Sequence, residues 1–279
     1  MAANGDANGD ATSDVALTRD EVRRVDEMAI REFGIPGLEL METAGRNAAE
    51  VVRERAVRLG VKRVVLFAGA GNNGGDGFVI ARHLAAGRGA VGQGASGSIA
   101  TRVWLCGSRE KMTADAAANL RRYEKLAADA VDTVDAAGRT DGIETSRAIG
   151  LVELIATSEE AKRAAATLTK GDLIIDALLG TGFTGDVREP MATLIREIDA
   201  AARATGCQVI AIDLPSGLDC DSGRPSNATI RADLTVTFVA PKVGFARPSA
   251  RAFTGEVVVR SIGAPEEIVR RIVAARESR

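Results

Sequence analysis

The chain has 279 residues, 46% hydrophobic and 27% charged, an ordinary globular composition for one domain or two small ones. A net charge of −2 gives no electrostatic case for nucleic acid or an anionic membrane, and 3% aromatics supply too few rings for stacking single strands. Three cysteines, Cys106, Cys207 and Cys220, are odd in number, widely spaced and form no CxxC, so they read as reduced thiols of a cytoplasmic protein.

Residues 1–14 are rich in Ala, Asn, Gly and Asp and lack the basic and apolar regions of a signal peptide. They read as a disordered tail, and 15–279 as a single domain without linker or repeat. No stretch is long and apolar enough to span a membrane. Thr18-Arg19-Asp20-Glu21 has the capping-box form. Val22, Val25, Met28, Ala29 and Phe33 follow at helical spacing, and Gly34 stops the helix. Pro36 starts a second helix carrying Leu40, Met41, Ala44, Ala48, Val51 and Val52 on one side, with Gly60 as its stop.

From there strands and helices alternate. The pattern predicts strands at 62–68, 101–106, 172–178, 207–213, 232–238 and 255–260, and helices at 75–86, 113–127, 158–168, 190–204 and 265–276. Residues 87–99 read as a glycine-rich surface loop, and 128–157 show no clear period. Leu173-Ile174-Ile175 and Val209-Ile210-Ala211-Ile212 are continuously apolar, as strands of a sheet covered on both faces are. The predicted fold is therefore α/β: a Rossmann-like three-layer sandwich, its mostly parallel central sheet flanked by helices, with two N-terminal helices.

In such a sheet ligands bind beyond the carboxyl ends of the strands. Three of those ends carry unusual sequences. Residues 70–77 read Ala-Gly-Asn-Asn-Gly-Gly-Asp-Gly, a turn that brings backbone N–H groups close to a phosphate or other anion. Asp176 opens a second segment, through Gly180-Thr181-Gly182-Phe183-Thr184-Gly185 and on to Arg188-Glu189-Pro190. Asp213-Leu214-Pro215-Ser216-Gly217 makes the third. Any one of these could be only a turn or a helix cap. Asp176 and Asp213 end strands that read as buried, and a buried carboxylate needs a cation, a donor or a proton. The oxygen-rich set Asn73, Asp176 and Ser216 suits a hard monovalent or divalent cation better than zinc.

Other chemistries find little support. The single histidine, His83, lies within a helix and reads as a packing or surface residue. Neither a GxSxG elbow nor a GxxxxGK[ST] phosphate loop is present. Gly69-Ala70-Gly71-Asn72-Asn73-Gly74 fits the GxGxxG of an NAD-dependent dehydrogenase formally, but that reading leaves the other two loops unexplained.

Together these loops, with Leu40-Met41-Glu42-Thr43-Ala44-Gly45-Arg46 before them and Thr237-Phe238-Val239-Ala240-Pro241-Lys242 after, resemble the NAD(P)H-hydrate epimerase family, also called the YjeF N-terminal domain family, over roughly 18–265. The resemblance implies an isomerase that interconverts the R and S forms of hydrated NADH and NADPH (NADHX and NADPHX). It implies substrate contacts from Asn72, Asn73, Gly74, Gly75 and Asp76, from Gly180, Thr181, Gly182, Phe183, Thr184, Gly185 and Asp186, and from Asp213. It also implies one potassium ion per subunit on Asn73, Asp176 and Ser216. Asp213 is the expected catalytic proton carrier. Thr43 stands where many relatives have Asn. With a chain of this length, an epimerase without a fused dehydratase domain is expected. It would be a homodimer functionally coupled to a separate dehydratase. A non-catalytic binding or scaffold module of the same fold is the alternative.

Overall fold

The computed structural model describes residues 15–61, 63–87, 99–132 and 149–278. The tail expected at 1–14 and residues 88–98 of the glycine-rich loop lie outside the described residues. Helix α1 (Arg19–Arg31) opens on the expected capping box: Thr18 Oγ1 accepts from Glu21 N–H at 3.3 Å, and Glu21 Oε2 accepts from Thr18 N–H at 2.8 Å. The helix ends two residues before Phe33, which is left exposed rather than on the apolar face. Helix α2 (Gly37–Leu59) follows Pro36 and stops at Gly60, whose φ of 61° is left-handed.

Seven parallel strands form one sheet: β1 (Arg63–Gly69), β2 (Thr101–Cys106), β3 (Ile149–Ile155), β4 (Asp172–Ala177), β5 (Gln208–Ile212), β6 (Leu234–Phe238) and β7 (Glu256–Arg260). Their order is β3-β2-β1-β4-β5-β6-β7. Strand β3 escaped sequence reading because it is an edge strand, with Leu151 79% exposed and no clean alternation of burial. Helices α3 (Asn72–Ala85), α4 (Ala114–Asp132), α5 (Ser158–Ala165), α6 (Met191–Thr205), α7 (Arg251–Thr254) and α8 (Glu266–Glu277) complete the α-helices of the described residues.

The period-2 geometry of the strands divides the core in two. Val64, Leu66, Leu173, Ile175, Ile210 and Ile212 face α1, α2, α3, α4 and α8. Val65, Phe67, Ile174, Val209 and Ala211 face α5 and α6. This is the expected three-layer α/β sandwich, parallel throughout rather than mostly so. The chain runs outward from β1 through β2 to β3, then restarts beside β1 at β4. Between β1 and β4 the strand order reverses, and a crevice opens at their carboxyl ends.

Candidate functional site

All three glycine- and carboxylate-bearing segments reach this crevice. The helix expected from residue 75 starts at Asn72, so Asn72 to Gly74 are the first residues of α3 and not a turn before it. Asn and Gly form helices poorly, so tertiary contact decides here. A Cβ on Gly74 would stand 1.8 Å from the Gly69 carbonyl oxygen, so only glycine lets α3 start this close to β1. Gly71, at the N-cap position, offers no side-chain cap, and the helix N-terminus opens onto the cleft with its N–H groups.

A cleft of about 750 Å³ is lined by Asn72, Asn73, Asp76, Gly180, Thr181, Gly182, Phe183 and Asp213. Gly74 and Gly75 are buried and do not line it. A second cavity of about 900 Å³ shares Gly182 and Phe183 and adds Thr184 and Asp186. Gly185, at a turn with φ 78°, lines neither.

Asp213 follows β5 in an unusual backbone state. Its φ is 66°, and Leu214 N–H donates to the Ile212 carbonyl at 2.9 Å, closing a strained γ-turn. Thr181 N–H donates to its Oδ2 at 2.8 Å, and Lys242 Nζ lies 3.0 Å from its Oδ1. The fully buried Lys242 also donates to Thr237 Oγ1 at 2.8 Å and the Phe238 carbonyl at 3.0 Å. A second strained γ-turn, centred on Val239 with φ 67°, follows β6, with Ala240 N–H bonded to the Phe238 carbonyl. Strain at a β-branched residue persists only where the surroundings hold it, and here it shapes the backbone that cradles the ammonium.

Asp176 and Ser216 bond directly, and Asn73 and Ser216 both reach the Leu179 carbonyl. Asp176 is fully buried; its Oδ1 accepts from Ser216 Oγ at 2.5 Å and Leu178 N–H at 3.2 Å, and its Oδ2 accepts from Ser216 N–H at 2.8 Å. Burial pushes its pKa up to about 6 against these hydrogen bonds. No ion pair reaches it among the described residues. Asn73 Nδ2 donates to the Leu179 carbonyl at 3.0 Å, while its buried Oδ1 has no partner. An orphaned amide oxygen and an uncompensated buried carboxylate, with a hydroxyl and a carbonyl beside them, form a donor set that fits a hard cation.

Sequence reasoning missed a residue that holds a wall of this cleft and one that lines it. Arg19 read as part of a cap, yet its Nε donates to the Thr181 carbonyl at 2.7 Å and its Nη2 to the Phe183 carbonyl at 3.1 Å and Asp219 Oδ2 at 2.7 Å. Asp26, also on α1, lines the cleft. Its spacing of seven residues from Arg19, two helical turns, is the one signal that could have found it.

The sequence model of the YjeF-related protein N-terminus matches residues 37–244. The chain belongs to that family. The family's relatives include the NAD(P)H-hydrate epimerase of Rhodopirellula baltica, 37% identical over 91% of this chain and 86% of that protein. The NAD(P)H-hydrate epimerase of Pirellula staleyi is 37% identical over 92% of this chain and 96% of its own length. The bifunctional NAD(P)H-hydrate repair enzyme Nnr of Moorella thermoacetica is 34% identical, and this chain spans 41% of it. The crystal structure of yeast ynu0 has the same fold, with a TM-score of 0.67 and 19% identity over 92% of this chain and 93% of that one. Helix α1 lies outside the matched segment, although Asp26 lines the cleft and Arg19 bonds the loop beside it.

Proposed function

We propose that this chain is an NAD(P)H-hydrate epimerase, an isomerase of the hydrated nicotinamide ring that serves cofactor repair. The observation that carries the reading is Asp213, held at the mouth of the cleft by Lys242 and Thr181 N–H beside the N-terminus of α3. The altered carbon of the substrate bears a hydroxyl and is bonded to the ring nitrogen. Inversion there needs a bond to break and re-form on the other face, which a positioned carboxylate promotes by moving a proton. Asn72, Asn73, Asp76 and Gly180 to Phe183 line the cleft where the dinucleotide would lie, while Thr184 and Asp186 face its continuation into the second cavity. Gly74 and Gly75 contribute by letting the backbone approach, and Gly185 by turning the loop.

Asn73, Asp176 and Ser216 would hold potassium; bound there, the ion would neutralise Asp176 and tie together the ends of β1, β4 and β5. The buried thiols suit a reducing compartment, and the cytoplasm is the proposed location. A homodimer and coupling to a separate dehydratase complete the reading; among the described residues no helix is long and apolar enough to cross a membrane. The test supplies R-form NADHX and a dehydratase that consumes only the S form, with and without potassium, and follows NADH. Faster conversion than the spontaneous background is expected; none, from folded protein with potassium, would leave the binding-module reading.

A further inference from the structure

Helix α1 forms a wall of the cleft. Val22, Arg23, Asp26 and Ile30 line it, and Arg19 fastens the helix to the Gly180–Asp186 loop. Behind the wall, Leu17 N–H bonds to the Pro241 carbonyl and Val243 N–H to the Leu17 carbonyl. The same segment carries Lys242, so α1 is set directly against the group that positions Asp213.

Two donors already face the oxygens of Asp213, which is thereby placed to take a proton rather than to give one. Epimerisation also needs a donor. Asp26 faces the cleft from a different wall, is open to it, and has no hydrogen-bond or ion-pair partner among the described residues. We propose that Asp26 is the second proton-transfer residue of the cleft, the acid that works against Asp213 as base. This inference rests on the epimerase reading.

In the forward direction the Asp26 carboxyl gives its proton to the hydroxyl of the hydrated carbon. The C–O bond breaks, its electron pair leaves with water, and the ring nitrogen lone pair forms C=N⁺. Water then adds to the opposite face, its oxygen supplying the new C–O pair, and its proton passes to the Asp213 carboxylate. The cycle ends with Asp26 ionised and Asp213 protonated, ready for the reverse reaction; exchange with solvent in the open cleft restores the first state. The surroundings suit this role. Desolvation against the cleft wall, limited because the residue is exposed, and repulsion from Asp213 raise the Asp26 pKa, with Lys242 opposing. Arg23, Asp76, Lys111 and Asp115 are the other charged groups lining the cleft. Burial, Asp213 and Asp26 hold the Asp76 carboxyl well above the usual range, but Asp76 is more enclosed than Asp26.

The experiment compares wild type, Asp26→Asn, Asp26→Glu and Asp76→Asn in the coupled epimerisation assay across pH, with NADP⁺ affinity and thermal melting measured on each. For D26N, kcat is expected to fall about 100-fold. The limb of the pH profile that drops as a required proton is lost should vanish, while NADP⁺ affinity stays within about 2-fold and the melting temperature does not fall. D26E should recover part of the rate. A D26N protein with a rate within about 3-fold of wild type and both limbs intact overturns the assignment. So does loss of rate that tracks loss of NADP⁺ binding or folding, or loss of the limb in D76N alone. Wild type with no activity overturns the epimerase reading and this inference together; an active wild type with an unchanged D26N overturns only the inference.

Discussion

Lys242 sits wholly out of water and its ammonium has Asp213 as its carboxylate partner. Removing one partner of such a pair leaves a buried charge alone, which costs about 3–5 kcal/mol. Lys242→Met should therefore melt well below wild type, and the double variant with Asp213→Asn should recover much of that loss, a coupling that denaturant unfolding of all four proteins measures. Asp213→Asn alone strands the buried ammonium, so it should also melt below wild type, and the folded protein should lose at least about 100-fold in kcat. The two residues were not equally legible. Asp213 announced itself as a carboxylate after a continuously apolar strand. Lys242 entered only as the last residue of a family motif, with no role assigned; the γ-turn at Val239 that gathers carbonyls around it is invisible in a string of letters.

At the scale of elements, two contacts set the cleft walls. Arg19 ties α1 to the Thr181 and Phe183 carbonyls through a planar fork that lysine cannot reproduce. Arg19→Lys should raise KM more than it lowers kcat, and Arg19→Ala should add about 1–3 kcal/mol of destabilisation from unpaired carbonyls. Helices α2 and α3 are locked by Glu42, which bonds His83 Nε2 at 2.8 Å and also Arg82. His83 thus packs between helices, as expected of a lone histidine. Its hydrogen bond, and then Arg82, lower the Glu42 pKa from 4.5 to about 2. A depressed folded-state pKa contributes stability that is present above 4.5 and lost as pH falls through about 2. Glu42→Gln should lose stability at neutral pH and show a flatter decline than wild type over that window, read as melting temperature against pH. Sequence placed α1, α2 and most strands because their hydrophobic periods are strong. It missed β3, whose exposed Leu151 and Leu154 break the period, and it began α3 too late, because Asn and Gly disguise a helix start imposed by close packing on β1.

For the whole molecule, the strand order brings the ends of β1, β4 and β5 to one rim, and with them Asn73, Asp176 and Ser216. A cation bound there and not in the unfolded chain stabilises by mass action, about 2.7 kcal/mol at 100 times its Kd. Potassium should raise the melting temperature over an equal ionic strength of a large organic cation, and Asn73→Ala, which deletes the unpartnered amide oxygen, should abolish most of that shift.

Residue types and their order alone established a covered parallel sheet, two N-terminal helices, reduced thiols and three chemically loaded strand ends, because burial and turn chemistry act locally and leave a period. The motifs in order also carried the family. Tertiary structure alone decided that all seven strands run parallel, that α3 starts as early as Asn72, and that α1, fastened by Arg19, sets Asp26 against the cleft. The first two depend on contacts between separate elements, and the third on residues more than 150 positions apart, Arg19 with Thr181 among them. Such contacts form only when the sheet closes, and no local pattern encodes them.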